Sequence, residues 1–215
     1  MAQKTGNGRT FRGVSGRTEN QKKFIFAVNS HDIIFLLSPW GTGKTFLSIG
    51  LGCEFLVANK IEKIVFVRSS NHIIKDYGYS PGDYKMKSLE FFNQHIEYFE
   101  KFLGRNEFQK LWNDNIIELT STSIIRGRNF ENAMVILDEA QHSSKEDVIL
   151  FLSRLSKGSK AIIMGDVEQN GGNNCFFGRM FQELEDEAVA KVEMGPEDIM
   201  RHSATHRICM KIKNI

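Results

Sequence analysis

Proline and cysteine are both scarce, at 3 each in 215 residues, and each scarcity excludes something. So few prolines in a chain that is 41% apolar and 25% charged argue against a fibrous or wholly disordered protein. The cysteines, Cys53, Cys175 and Cys209, are odd in number and show no CxxC spacing. Neither a disulfide framework nor a cysteine metal site is indicated, and all three are expected to be reduced thiols. No stretch approaches the roughly 18 uncharged apolar residues that a membrane span needs, and the start of the chain lacks the apolar stretch of a signal peptide. A cytosolic protein with no membrane partner is expected. The length is about one and a half times that of a common domain, which makes one α/β domain with a sizeable core the default.

The net charge of +2 hides an asymmetry. Residues 1–17 hold Lys4, Arg9, Arg12 and Arg17 and no acid, interspersed with Gly6, Gly8, Gly13 and Gly16. Such a segment has little apolar surface to offset its ordering entropy, so it is expected to be a flexible basic tail, ahead of a single domain at 18–215. As an arm it would attract nucleic acid phosphates; otherwise it is a solvated leader.

From Thr18 onward, short β-branched runs alternate with longer segments of helical period, the pattern of βαβ units and a mostly parallel sheet. Residues 33–37, 63–67, 116–119, 134–137 and 161–164 read as strands buried on both faces, with a sixth candidate at 189–192. Leu89, Phe92, Ile96, Phe99 and Leu103 recur at steps of three and four and predict an amphipathic helix that stops at Gly104. Ser143 with Glu146 predicts a capping box ahead of a helix carrying Val148, Phe151, Leu152 and Leu155.

The sharpest signal is Ser38-Pro39-Trp40-Gly41-Thr42-Gly43-Lys44-Thr45, with Phe46 behind it, lying between an apolar strand and a helical segment. It reads as a phosphate-binding loop that starts with Ser38 where the pattern has glycine. Its glycines let backbone N–H groups converge on a triphosphate at a helix N-terminus, Lys44 reaches the outer phosphates, and the Thr45 hydroxyl can ligate Mg²⁺. Asp138 and Glu139 follow the apolar run 134–137 at its carboxyl end, where sites of open parallel sheets lie. Asp138 suits the Mg²⁺ shell; Glu139 suits a general base or a group that orients water for attack on a γ-phosphate. After the next strand, Asp166 and Gln169 are candidates for sensing the γ-phosphate. Arg126, Arg128, Arg201 and Arg207 could each stabilise transition-state charge, and Arg201 is taken into the catalytic set. Trp40, Phe130, Tyr77 and Tyr79 could stack on nucleobases or belong to a core. His202 and His206 have an i, i+4 spacing, but no Glu follows His202 as a zinc protease would need.

These residues resemble a known family, the PhoH-like ATPases of bacteria and phages, related to superfamily 1 helicases. The resemblance spans roughly 18–208. It is carried by Thr18-Glu19-Asn20-Gln21, the loop ending Gly43-Lys44-Thr45, Val67-Arg68, Pro81-Gly82-Asp83, Arg126-Gly127-Arg128, Asp138-Glu139-Ala140-Gln141, Gly165-Asp166 with Gln169, and Asp198-Ile199-Met200-Arg201-His202. Ser38 and Ser69 depart from it, standing where the family usually has Gly and Pro. The resemblance implies a three-layer α/β/α, RecA-like P-loop NTPase of the additional-strand type. It implies Mg²⁺-dependent ATP hydrolysis coupled to RNA or single-stranded DNA, assembly into a homo-oligomer such as a hexameric ring, and a place in the cytoplasm of a bacterium or of a phage-infected host. An ATP-binding adaptor with little turnover and a P-loop phosphotransferase are the alternatives. The resemblance also implies adenine recognition by Gln21, whose carboxamide can both donate and accept. Gln21→Ala is therefore expected to erode the preference for ATP over GTP by about 1–3 kcal/mol; competition binding of the two nucleotides reads it, and an unchanged preference would refute it.

Overall fold

A computed structural model gives the architecture, describing residues 3–4, 10–69, 92–166, 169 and 175–200, with single positions 204, 208 and 211. Two short strands, β1 (Gln3–Lys4) and β2 (Thr10–Phe11), pair antiparallel. The apolar runs then form the main sheet: β3 (Ile33–Leu37), β4 (Lys63–Arg68), β5 (Ile117–Ser121), β6 (Ala133–Asp138), β7 (Lys160–Gly165) and β8 (Val189–Glu193). Every pairing in it is parallel, and the order is β5-β4-β6-β7-β3-β8. β7 thus stands between β3 and β6, which is the additional-strand arrangement, and the sixth candidate strand is the edge beside β3.

Side chains of successive strand residues point to opposite faces, and the two cores divide accordingly. Ile34, Leu36, Ile64, Phe66, Met134, Ile136, Ile162 and Met164 enter one cluster, covered by α1 (Glu19–Ser30), α2 (Lys44–Val57), α3 (Asn93–Leu103) and α4 (Arg105–Asn113). Phe35, Val65, Val135, Leu137, Ala161 and Ile163 enter the other, covered by α5 (Lys145–Leu152) and α6 (Phe176–Glu183). The result is three layers, with both faces of a parallel sheet dry, as continuous apolar strands require.

Several expectations shift. α1, α4 and α6 have no counterpart among the predicted helices. α1 starts because Thr18 caps it, accepting from the Gln21 N–H, and it buries Phe24, Ala27 and Val28 at helical spacing. α3 does end at Gly104 (φ 81), but the chain turns there straight into α4, which buries Phe108 and Leu111. The capping box is Ser144 with Asp147, one residue later than Ser143 with Glu146, because a 3₁₀ turn over Ala140–His142 consumes the preceding residues and the Ser143 N–H bonds to Ala140. Phe11 is 6% exposed and stacks on Phe102 of α3, the Arg12 N–H bonds to the Phe102 carbonyl, and Val14 packs on the same core. From Phe11 onward the basic leader is therefore docked on the domain. Phe130 is a core residue, 3% exposed with the Arg128 guanidinium over its ring, so it offers no face for a nucleobase. Leu89, Cys209 and the Tyr77–Tyr79 pair lie outside the described residues.

α2 and α3 approach so closely that a Cβ on Gly50 would sit 2.6 Å from Cζ of Phe102. Gly50→Ala gains about 1 kcal/mol of helix propensity but overpacks a full core, which costs about 1–3 kcal/mol. A net loss of up to about 2 kcal/mol is expected as a lower urea midpoint with an unchanged slope, and Phe102→Leu in the same chain should recover it.

Candidate nucleotide site

Register brings the site together. Leu37 pairs with Gly165 and Arg68 with Asp138, so the carboxyl ends of β3, β7, β6 and β4 stand in one row. The chain leaves β3 through the glycine-containing loop, where Gly41 and Gly43 adopt φ 82 and 83, a left-handed backbone that a side chain disfavours. Gly43 is the N-cap of α2 and offers no side chain, so the first-turn N–H groups of that helix stay open to an anion. Ser38, the departure from glycine, is absent from the positive-φ residues, and its side chain fits without backbone strain. Its hydroxyl bonds to the Thr42 hydroxyl, and both reach the Pro39 carbonyl, at 3.2 and 3.1 Å.

Above the loop lies a cavity of about 600 Å³. Trp40, Gly41, Gly43, Lys44, Thr45, Phe46, Gln21, Glu139 and Gln169 line it, so most of the expected site residues meet at one cavity. Ser38, Pro39 and Thr42 brace the loop from beneath, and Asp166 is buried at the end of β7. Arg201, with His202, His206, Arg207 and Pro81-Gly82-Asp83, lies outside the described residues. Arg128 is held at the opposite, amino end of the sheet by Glu118 at 2.6 Å, and Arg126 is exposed on the same turn.

Asp138 is 3% exposed. Its Oδ2 lies 3.4 Å from the Thr45 hydroxyl and 3.3 Å from Nε2 of His95, and its Oδ1 accepts the Glu139 N–H at 2.9 Å. Burial pushes its carboxyl up, but the His95 hydrogen bond and the electrostatic pull of His95, Lys44 and Arg68 outweigh that and hold it below the ordinary carboxylate range. An ionised carboxylate beside a hydroxyl is the oxygen donor set a hard divalent cation takes, so Thr45 and Asp138 fit Mg²⁺. Glu139 sits in the left-handed region at φ 56, which turns its side chain toward the cavity while Asp138 stays inside. Gln141 donates to the Glu139 carboxylate and accepts the Asp166 N–H at 3.0 Å, and Gln169 donates to the Asp166 carboxylate at 2.8 Å.

Gln21 is buried, its Nε2 donating to the Thr42 carbonyl at 2.9 Å and its Oε1 accepting the Arg17 N–H at 2.7 Å. One amide hydrogen and one lone pair stay available to an adenine edge. Asp198 is 0% exposed and accepts from the Thr18 hydroxyl, from Asn20 at 2.9 Å and from the Gly195 N–H at 2.8 Å. Two residues on, the Met200 N–H bonds to the Gly41 carbonyl at 2.9 Å.

Sequence reasoning missed Arg17 and, from α3, His95, Gln94, Tyr98 and Lys101. The last three line the cavity at i, i+4 and i+7, with Tyr98 edge-on to Phe46 at 5.3 Å and the Lys101 ammonium 5.1 Å from the same ring. The only signal was polar residues on the flank of an apolar stripe.

Comparison with known proteins places this geometry. The model of a family described as PhoH-like protein matches residues 13–213. A PhoH-like protein of Synechocystis sp. is 32% identical over 96% of this chain and 65% of its own length. One from Bacillus subtilis is 30% identical over 92% and 63%, and Protein PhoH of Escherichia coli 30% over 90% and 56%. The chain thus spans between 56% and 65% of these curated relatives. Among solved structures, the large terminase from a thermophilic bacteriophage overlays with a TM-score of 0.57 at 12% identity, over 90% of this chain and 49% of the other. The Pyrococcus furiosus Hef helicase domain overlays at 0.50 with 13% identity, over 83% and 38%. These overlays show the fold, that of the P-loop ATPases. Among the described residues, no helix is long and apolar enough to cross a membrane.

The Asp198 clasp makes a pH-dependent contribution. Burial raises its carboxyl, but hydrogen bonds from Thr18, Asn20 and Gly195, with the charge of Lys23, hold it below the ordinary value. A depressed folded value means stability that is present above about pH 4 and lost as pH falls through the folded value. The urea midpoints of the unmodified chain and Asp198→Asn are therefore expected to differ most near neutrality and to converge below about pH 4; a gap independent of pH would count against the clasp.

Proposed function

The chain belongs to the PhoH-like protein family, and from that premise we propose that it hydrolyses ATP with Mg²⁺ and couples turnover to RNA or single-stranded DNA. The observation that carries the reading is the pairing of the buried Asp138 carboxylate with the Thr45 hydroxyl at 3.4 Å, directly beside a Glu139 that faces the cavity. Lys44 and the open amides of α2 would hold the phosphates, and Gln21, Trp40 and Phe46 the nucleoside. Thr45 and Asp138 would hold Mg²⁺, which neutralises charge on the outer phosphate oxygens. Glu139 would orient the attacking water, with Gln141 fixing its carboxylate. Asp166 and Gln169 would report loss of the γ-phosphate through Gln141, and Arg201 would meet the transition-state charge. Water attack is favoured over transfer to a second substrate because Glu139 stands in the cavity beside Asp138 as a group suited to positioning water, which hydrolysis needs and transfer to a bound acceptor does not.

Coupling to nucleic acid is supported by the resemblance to ATPases related to superfamily 1 helicases and by the fold shared with the Hef helicase domain. Motors of this class use two such cores to step along a strand; a homo-oligomer, such as a hexamer, would bring cores together and let a neighbour's arginine reach the nucleotide. Such a protein would work where ATP, Mg²⁺ and nucleic acid meet, in the cytoplasm of a bacterium or a phage-infected host.

The test is ATP turnover with Mg²⁺, with and without single-stranded RNA or DNA and with water as the only acceptor. Stimulation by nucleic acid is expected, and Glu139→Gln should lower turnover about 10²–10⁴-fold while leaving nucleotide binding intact. Nucleotide binding without turnover would replace the hydrolase with an adaptor, and ATP consumption only with an added acceptor would replace it with a phosphotransferase.

A further inference from the structure

His95 hydrogen-bonds to Asp138, and the reading above leaves it without a role. It stands in the first turns of α3, 4% exposed, with its ring 4.5 Å from that of Phe66 and 5.5 Å from that of Phe92. Packing on both sides fixes the imidazole plane. Its Nε2 reaches Asp138 Oδ2 at 3.3 Å, the same oxygen that faces the Thr45 hydroxyl at 3.4 Å. A carboxylate oxygen accepts, so the proton sits on Nε2. Nδ1 is then left as a buried nitrogen with no hydrogen-bond partner among the described residues. A leucine or phenylalanine would fill this apolar niche without that orphan, whose burial is a cost. What the imidazole adds over an apolar side chain is the Nε2–H contact to Asp138.

A free aspartate carboxylate turns easily about its terminal torsion, which is broad and roughly two-fold. Here Glu139 N–H holds Oδ1 and His95 holds Oδ2, so the plane is set before any ligand arrives. Resting on the nucleotide-site reading, we propose that His95 is a positioning residue for the divalent cation, holding Asp138 Oδ2 beside the Thr45 hydroxyl so that the cation meets a formed oxygen cradle. Hydrogen-bond partners that orient ligating groups typically change metal affinity about 10–100-fold when removed. His95 also belongs to the helix whose Gln94, Tyr98 and Lys101 line the cavity, so one helix orders both the cation cradle and a cavity wall.

The test is fluorescence binding of a methylanthraniloyl-labelled ATP to the full chain, first in EDTA and then as a Mg²⁺ titration. For His95→Leu, the Mg²⁺ concentration at half-effect is expected to rise about 10-fold or more, with affinity in EDTA unchanged. His95→Gln, which keeps a donor at nearly the same reach, should recover part of the loss. If His95→Leu does not fold, His95→Met, equally without a donor, takes its place. A donor-free variant that titrates like the unmodified chain, or that loses affinity equally with and without Mg²⁺, overturns the assignment while the nucleotide site stands. An unmodified chain that binds no nucleotide overturns the proposed function and this assignment together.

Discussion

A carboxylate that is 3% exposed has to be compensated from every side, and Asp138 sets that demand at the centre of the site. Leaving such a charge unpaired costs on the order of several kcal/mol. Its partners come from four elements: Thr45 and Lys44 from α2, His95 from α3, Arg68 from β4, and the backbone of the turn after β6. None of these elements can leave without stranding the charge. The parallel register puts Arg68 opposite Asp138, and the close approach of α3 to α2 delivers His95, so the packing of the whole upper face converges on one side chain.

The two adjacent carboxylates are separated by backbone conformation. Along a regular strand, Glu139 would simply point to the opposite face from Asp138. A left-handed residue with a side chain costs roughly 1–3 kcal/mol, and Glu139 accepts that cost at φ 56. The gain is that one carboxylate stays buried among cations while its neighbour reaches the cavity, where Gln141 orients it. Two carboxylates in different environments can take different chemical roles.

How much of this was legible depended on range. The strands could be read because a sheet buried on both faces needs continuous apolar runs, and the loop and Asp138-Glu139 could be read because their chemistry is packed into a few consecutive residues. The one-residue slip of the capping box came from a local turn, Ala140–His142, that leaves no hydrophobic pattern. His95 was hidden because its partner lies 43 positions away, and a polar residue on an amphipathic helix looks the same whether it faces solvent or a carboxylate. The docking of Phe11 was hidden for a similar reason: one aromatic in a glycine- and arginine-rich stretch has no periodicity, and only the ring of Phe102 gives it a place.

The 38–45 loop is tied to three parts of the chain that are far apart in sequence. Ser38 N–H bonds to Gly165 at the end of β7, Thr42 accepts from Gln21 on α1, and Gly41 accepts from Met200 beyond β8. Asp198 joins the last two by binding the first turn of α1. The loop therefore cannot shift to close on an anion without carrying or breaking bonds to α1, to β7 and to the segment that follows β8. At β7 the next residue, Asp166, holds Gln169 and receives Gln141, which in turn holds Glu139. Under the proposed function, a change at the outer phosphates would act on groups joined through the end of β7 to the loop, by backbone and carboxamide hydrogen bonds that hold a set direction.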